Sequence, residues 1–345
     1  MRILVTGGAG FIGSNFIHYL LKVYPQYQII NLDKLTYAGN LDNLSDIESS
    51  PNYRFIKGDI CDQKLVEEII SPGIDIIINF AAETHVDRSL YEPKSFVQTN
   101  ITGTQVLLDA ALKFKLKRFI QISTDEVYGS VEQGKFFTEQ SQLLPNSPYS
   151  ASKAGADLLA RSYFKTFKFP VLITRSSNNY GPYQFPEKLI PLFITNALED
   201  KELPIYGDGL YIRDWIYVED NCRGIDLVLH KGKEGEVYNL GGGAEKTNLE
   251  ITHLILKYLS KSASLIKHVK DRPAHDRRYA MDCKKIEKEL GFQPKVKLEE
   301  GLKKTVEWYL KNRSWWEKIK SGEYLKYYEK HYLSRMDPFG QRERV

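Results

Sequence analysis

The 345-residue chain carries little cysteine: Cys61, Cys222 and Cys283 stand far apart, and no CxxC pair occurs. That scarcity excludes a disulfide framework and a zinc site, and it fits a reducing compartment. No metal site is expected. Long apolar runs are also missing. A membrane span needs roughly 18–20 consecutive apolar residues. The run behind Met1 and Arg2, Ile3-Leu4-Val5, is too short even for a signal-peptide core and ends in glycines. The expectation is a cytoplasmic protein with no membrane partner. An excess of one charge is absent as well: 48 Lys and Arg face 44 Asp and Glu, a formal net charge of +4. The basic stretch Lys113, Lys115, Lys117 and Arg118 falls at a helix-to-strand junction and reads as a solvated edge. Nucleic-acid binding needs a clustered basic face, so no nucleic-acid partner is expected.

What is present is an ordinary globular composition, 42% hydrophobic and 27% charged, long enough for one large domain or two modest ones. The first half alternates short β-rich runs with helical patterns. Strands are predicted at Ile3–Thr6, Gln28–Leu32, Tyr53–Lys57, Ile74–Phe80, Arg118–Ser123 and Val171–Thr174. Helices are predicted between them, among others over Ile12–Val23, Lys64–Ile70 and Phe96–Leu112. This alternation predicts a Rossmann-type, doubly wound parallel sheet with helices on both faces. After about Gly181 the pattern loosens. Strands are expected at Leu203–Tyr206, Trp215–Val218, Glu236–Leu240 and Ser264–Val269. Helices are expected at Glu187–Leu198, Glu219–His230, Asn248–Leu259 and Asp282–Leu290, and from Leu298 an aromatic helical tail follows. The division expected is 1–180 for the sheet domain, with re-entry of the later chain left open, and 181–345 mainly for a smaller C-terminal α/β lobe and tail.

The first strand runs into Gly7-Gly8-Ala9-Gly10-Phe11-Ile12-Gly13, a GxxGxxG variant of the dinucleotide fingerprint. Glycines there allow a tight turn and close approach to a pyrophosphate, which sits at the N-terminus of the next helix. Asp33 closes the second strand about 20 residues past Gly13, the spacing of a carboxylate that accepts the adenosine ribose hydroxyls. That charge repels a 2′-phosphate and favours NAD over NADP; Lys34 beside it softens the preference. Asp59 and Ile60 are expected to end the third strand, and Phe80-Ala81-Ala82 the fourth. Both would sit at the crevice, because open α/β sheets bind ligands at the carboxyl ends of strands.

Tyr149 and Lys153 form a YxxxK pair, four residues apart and therefore on one helix face. A nearby ammonium, with a positive nicotinamide, would lower the phenol pKa so that tyrosinate can remove a hydroxyl proton. Ser123-Thr124-Asp125-Glu126 follows the fifth strand. Two adjacent carboxylates at the crevice mouth have no task in a simple dehydrogenase. In a dehydratase one serves as acid and the other as base, and the like charge helps keep one of them protonated.

These motifs carry a resemblance. The chain resembles the extended short-chain dehydrogenases/reductases (the NAD-dependent epimerase/dehydratase superfamily), and within them the dTDP-glucose 4,6-dehydratases. The carriers are GGAGFIGSNF, LDKLTYAGN, AAETHVDRS, STDEVYG, YSASKAGAD, RSSNNYGPYQFPEKLIPL, IYGDGLYIRDWIYVED and RPAHDRRYAMD. Thr124-Asp125-Glu126 is the discriminating triplet, since epimerases and decarboxylases of the superfamily generally lack the Asp-Glu pair. The resemblance implies a tightly bound, recycled NAD, a nucleotide-diphosphate sugar such as dTDP-glucose as substrate, and a homodimer built on helices of the first domain. Tyr149 with Lys153 would act at C4, Glu126 would take the C5 proton, Asp125 would protonate the C6 hydroxyl, and Thr124 would hold the sugar near C4. Leu35, Thr36, Thr84, Thr99 and Asn179 are implied at the cofactor. Thr84, with Asn178, Lys188, Leu189, Pro204, Tyr206, Arg213, Asn248, Arg272 and His275, is implied at the substrate. His85 would flank the sugar without a chemical role. Ala274 departs from the family pattern, which has glycine there, and this bears on nucleotide preference. The alternatives are a dehydratase for UDP- or other sugar nucleotides, a related epimerase or decarboxylase, or a dinucleotide-sensing protein without activity.

Overall fold

The computed structural model describes residues 1–321. In chain order its strands are β1 (Arg2–Thr6), β2 (Gln28–Asp33), β3 (Tyr53–Lys57), β4 (Ile76–Asn79), β5 (Arg118–Thr124), β6 (Val171–Ser176), β7 (Asn178–Tyr180), β8 (Leu203–Tyr206), β9 (Ile212–Tyr217), β10 (Val237–Leu240), β11 (Glu245–Thr247) and β12 (Ile266–Val269). The helices are α1 (Phe11–Val23), α2 (Gln63–Ile70), α3 (Val86–Tyr91), α4 (Pro93–Phe96), α5 (Thr104–Lys113), α6 (Pro148–Phe167), α7 (Leu189–Leu198), α8 (Val218–Lys231), α9 (Asn248–Leu259), α10 (Lys284–Leu290), α11 (Leu298–Lys311) and α12 (Arg313–Ile319).

Seven strands form one parallel sheet in the order β10-β6-β5-β4-β1-β2-β3. Alternate residues of β1 face opposite layers, as strand pleating requires. Ile3 and Val5 pack with Phe16 of α1, Ile225 of α8 and Ile286 of α10. Leu4 packs with Val66 of α2, Leu107 of α5 and Ala160 of α6. The winding reverses at β1, between β2 and β4, which opens a crevice at the carboxyl ends of those strands. The second lobe has its own core, where Phe193 of α7, Ile255 of α9, Leu302 of α11 and Trp316 of α12 meet. A three-stranded sheet β11-β9-β7 and a parallel pair β12-β8 add to that core, through Trp215 and Tyr217 of β9 and Leu203 and Ile205 of β8.

Several boundaries differ from the sequence expectation for identifiable reasons. The helix expected over Phe96–Leu112 is interrupted: a π-helical turn, Val97–Gly103, separates α4 from α5. The widened turn lets the buried Asn100 side chain serve three partners. It accepts from Glu83 N at 2.9 Å and donates to Glu83 O at 3.1 Å and Ser152 Oγ at 2.8 Å. The helix expected from Glu187 begins at Leu189, because its N-cap Lys188 is extended at φ −82° and ψ 152° after a turn at Pro186 and Glu187. The third strand ends at Lys57, so Asp59 and Ile60 lie in the loop beyond it. Strands β7 and β11, three residues each, are too short to show a period in sequence.

The aromatic tail is core material. Trp308 and Trp315 pack edge-to-face on Tyr183, at 4.9 and 6.2 Å between ring centres. Trp315 Nε1 donates to Asn43 Oδ1 at 2.9 Å, which ties α12 back to the segment after β2. The part of the expected tail beyond residue 321 lies outside the described residues. Among the described residues, no helix is long and apolar enough to cross a membrane, and no cluster of metal-ligating side chains occurs.

Candidate active site

The turn after β1 is shaped by steric necessity. Gly7 adopts φ +69°, and a Cβ on it would lie 2.6 Å from the backbone nitrogen of Ala81. A Cβ on Gly13 would lie 2.4 Å from the Gly7 carbonyl oxygen, so only glycine lets α1 start this close to the strand. Gly10, Phe11 and Ile12 complete the floor of the cleft. Asp33 accepts Ala9 N at 2.9 Å and Leu35 N at 2.8 Å. Each carboxylate oxygen keeps a second lone pair for a ribose hydroxyl. Lys34 is held by Asp59, Nζ to Oδ2 at 2.7 Å.

Thr36, Asp59, Ile60, Phe80, Ala81, Ala82, Thr84, Thr99, Tyr149, Lys153 and Asn179 line this same cleft, with Lys34 and Asp33. Leu35 does not. It adopts φ +56° and takes part only through the backbone N–H it gives Asp33. The side-chain oxygens of Asn178 and Asn179 are buried with no hydrogen-bond partner among the described residues. Unsatisfied buried polar atoms beside a glycine cradle fit a polar ligand with a pyrophosphate, and the residues present suit NAD.

The reactive groups converge where this cleft meets a second one. Pro148 at N1 and a capping box between Ser147 and Ser150 fix the start of α6, so Tyr149 and Lys153 lie in its first turns. Lys153 Nζ donates to the Ile122 carbonyl at 2.6 Å, not to the tyrosine. Burial lowers its pKa to about 8, partly offset by the charge of Asp157. The lowered phenol pKa expected of Tyr149 depends on a positive nicotinamide beside it. Burial, then the charge of Glu126, pushes its phenol well above the ordinary range, although a hydrogen bond with Thr124 works the other way. The protein alone therefore holds a neutral phenol, and a positive charge brought beside it would act in the opposite direction.

Thr124 caps the short turn Asp125–Tyr128: its Oγ1 accepts Glu126 N at 3.2 Å and donates to Asp125 Oδ1 at 3.2 Å. Asp125 is 2% exposed, and its Oδ2 has no hydrogen-bond partner among the described residues. Burial, then the Glu126 charge, drives its carboxyl well above the usual range. Glu126 is also raised by burial, but Arg272, Lys188 and Arg213 all pull it back. Two neighbouring carboxyls thus sit in unlike fields, the condition for one acid and one base.

The second cleft is lined by Glu126, Asn178, Lys188, Leu189, Pro204, Tyr206, Arg213, Asn248, Arg272 and His275. Lys188 Nζ donates to the Thr84 carbonyl at 2.9 Å. Arg213 donates to the Asp276 carbonyl at 2.9 Å and lies over the Tyr279 ring, 4.2 Å from its centre. His275 bonds Asp271 at 2.7 Å and stacks on Tyr211 at 3.6 Å. Burial, then Arg272 and Arg213, lowers its pKa to about 3, so it is neutral. His85 caps α3 and approaches Glu187 at 3.9 Å, a structural position. Sequence reasoning passed over Glu187 and Tyr279, which line the cleft. Both lie inside quoted motifs, and a carboxylate adjacent to Lys188 in an apolar run was the signal available.

The fold and the paired clefts define an extended short-chain dehydrogenase/reductase. The chain belongs to the GDP-mannose 4,6 dehydratase family, whose model matches residues 4–305. It is 54% identical over 325 residues to a dTDP-glucose 4,6-dehydratase of Streptomyces niveus, covering 93% of this chain and 96% of that protein. Among solved structures it is similar to DesIV, a dTDP-glucose 4,6-dehydratase of Streptomyces venezuelae with NAD and TYD bound. The TM-score is 0.91 at 52% identity, over 93% of this chain and all of the other. The dTDP-glucose 4,6-dehydratase of Bacillus anthracis in complex with NAD follows, with a TM-score of 0.88 at 53% identity over the same shares.

Proposed function

We propose that the chain is an NAD-dependent dTDP-glucose 4,6-dehydratase, converting dTDP-glucose to dTDP-4-keto-6-deoxyglucose and water. The observation that carries this reading is the Asp125-Glu126 pair. Burial and the neighbouring charge push the Asp125 carboxyl well above the usual range, while Arg272, Lys188 and Arg213 pull Glu126 back, at the point where the two clefts meet. Bound NAD would supply the redox chemistry, taking a hydride from C4 and returning it to C6. Tyr149, ionised where the positive nicotinamide would lie beside it, takes the C4 hydroxyl proton, with Lys153 one helical turn away as the supporting cation. The resulting 4-ketone acidifies C5. Glu126 removes that proton while Asp125 gives its own to the C6 hydroxyl, which leaves as water. Glu126 then returns its proton to C5. The proton kept by Tyr149 equals the one Asp125 has lost, so an internal transfer resets the site. Thr124 positions the sugar at C4.

Arg213, Arg272 and Lys188 are the groups for the diphosphate; guanidinium offers planar paired donors. Pro204, Tyr206, Leu189, Asn248 and His275 would surround the nucleoside. We assign residues 1–180, joined by β10, to the cofactor, and most of the later chain to the nucleotide. The partner protein is a second copy: Val97 and Leu158, on the π-turn and α6, are 50% and 55% exposed and give that helical face an apolar surface. Sedimentation at micromolar concentration tests this, with a monomer as the contrary result. The three free cysteines fit a cytoplasmic setting, which fractionation of the source cells checks.

Parallel incubation with dTDP-, UDP- and GDP-glucose, followed by mass spectrometry and NMR, tests the activity. The expected product is a 4-keto-6-deoxy sugar lighter by one water, formed fastest from dTDP-glucose. An isomer of unchanged mass would make the chain an epimerase instead.

A further inference from the structure

We propose that Arg175 is a positioning residue that ties the turn bearing Asp125 and Glu126 to the helix bearing Tyr149 and Lys153. The inference rests on the dehydratase reading above, because only that reaction needs both groups in sequence on one sugar.

Arg175 lies on β6, in register with Ser123 on β5 and with Asn239 on β10. Ser123 is two residues before Asp125. The arginine is 5% exposed, and each of its two recorded side-chain bonds goes to one half of the catalytic apparatus. Its Nε donates to Asp157 Oδ2 at 2.9 Å. Asp157 is four residues beyond Lys153 on α6, hence on the same helix face. Its Nη1 donates to the Tyr128 hydroxyl at 2.8 Å. Tyr128 is the last residue of the turn that opens with Asp125. The Tyr128 hydroxyl donates onward to Asn239 Oδ1 at 2.8 Å, and its ring stacks on Phe137 at 5.0 Å.

None of these four side chains lines either cleft. Asp157, Tyr128 and Asn239 are each 1% exposed or less. A buried ion pair is a poor way to gain stability, because its desolvation cost rivals its attraction, and an apolar filling of similar volume would serve as well. What the guanidinium does that an apolar side chain could not is hold two directions at once through a planar fork. The turn it holds is four residues long, and acid–base groups must stay within roughly half an ångström of their working positions.

The two arms make separable predictions. Tyr128→Phe keeps the ring and its stack but removes the hydroxyl, freeing the turn while α6 stays anchored to Arg175. Asp157→Asn loosens the α6 arm and leaves the Tyr128 link. Both are measured as holoenzymes in single-turnover reactions with dTDP-glucose, following the absorbance of the bound reduced nicotinamide and the quenched product. Tyr128→Phe should slow water loss about tenfold, a barrier change of about 1.4 kcal/mol, with C4 oxidation within twofold, so reduced cofactor accumulates. Asp157→Asn should slow oxidation about tenfold without accumulation. Affinity for dTDP, by calorimetry, should stay unchanged in both. Equal slowing of both steps by either variant, or no change in either step, overturns the inference. If Asp157→Asn does not fold, the Tyr128→Phe partition decides alone. A wild-type enzyme with no turnover of dTDP-glucose removes the dehydratase reading and this inference with it.

Discussion

The cleft proposed for the cofactor and the pocket proposed for the nucleotide share Glu126, Asn178, Glu187 and Lys188 at their junction, yet they are built by different means. The cofactor side is a property of the backbone. A glycine turn admits no side chain at Gly7 or Gly13, and Asp33 is oriented by two backbone N–H groups. The nucleotide side is a property of side chains from distant segments: Lys188 before α7, Arg213 on β9, Asn248 at the start of α9, Arg272 and His275 in the loop after β12. A site made of backbone should fail abruptly when a Cβ is added. A site made of charges should fail by degrees.

The sharpest test of that difference is Gly13→Ala. The new Cβ meets backbone atoms at 2.4 and 2.9 Å, so nothing flexible can yield. Overpacking of this kind costs up to about 3 kcal/mol, equivalent to roughly a hundredfold in NAD affinity. Calorimetric titration of cofactor-stripped protein measures it. An affinity within threefold of wild type would show that α1 can retreat from the strand.

Arg272→Ala should act by degrees. The guanidinium lies 3.6 Å from Asp87, and its Nε is buried with no hydrogen-bond partner among the described residues. A phosphate contact held equally in ground and transition states affects KM more than kcat. We expect KM for dTDP-glucose to rise on the order of 10–100-fold, the loss of one charge-assisted bond or two, with kcat at its optimum within threefold. Arg272 is also the largest charge holding Glu126 down against burial. Its loss raises the Glu126 pKa, and since the base must be ionised, the low-pH limb of the kcat profile should move to higher pH. An unmoved limb would separate Arg272 from the base.

The cofactor half was the more legible in sequence for the same reason. Glycine spacing and a carboxylate closing the next strand are local, and Asp33 stands where that spacing puts it. The DE pair was legible too, because adjacency in sequence guarantees adjacency in space. What sequence did not reveal is long-range. The Arg175–Asp157 and Tyr128–Asn239 contacts join segments 18 and 111 residues apart. The π-turn inside the expected Phe96–Leu112 helix exists to serve Glu83 and Ser152, which no local periodicity encodes. The raised phenol of Tyr149 in the protein alone was not legible either, because burial and the Glu126 charge are both tertiary.

A smaller effect separates stability from chemistry. Asp125 has its folded pKa raised by burial and by Glu126. A raised carboxyl contributes most to stability below its unfolded pKa, and that contribution is lost as pH rises through the folded value. Asp125→Asn carries no charge and escapes this loss. Its melting temperature should exceed that of wild type by an increment that grows from acid to neutral pH, on the order of 1–2 °C per kcal/mol for a chain of this size. Differential scanning calorimetry across pH 4–8, the span on which carboxyl ionisation acts, measures the increment. A difference constant with pH would mean that Asp125 titrates normally.

The smallest effect is expected where the chain departs from its family. Ala274 adopts φ +51°, the left-handed conformation that glycine takes without cost. An alanine there bears about 1–2 kcal/mol of backbone strain, but it also narrows the unfolded ensemble by about 0.4–1 kcal/mol relative to glycine. The two terms largely cancel in Ala274→Gly. The residue is exposed and lines neither cleft, although it sits between Arg272 and His275. The loop therefore keeps the shape a glycine would give it. We expect Ala274→Gly to leave the melting temperature within about 4 °C and kcat/KM for dTDP-glucose within threefold, a barrier change under about 0.7 kcal/mol. The dTDP-to-UDP preference should be unchanged. A preference shifted tenfold or more would place nucleotide choice in this loop's stiffness, and the contrast between a backbone-built and a charge-built site would then fail on the nucleotide side.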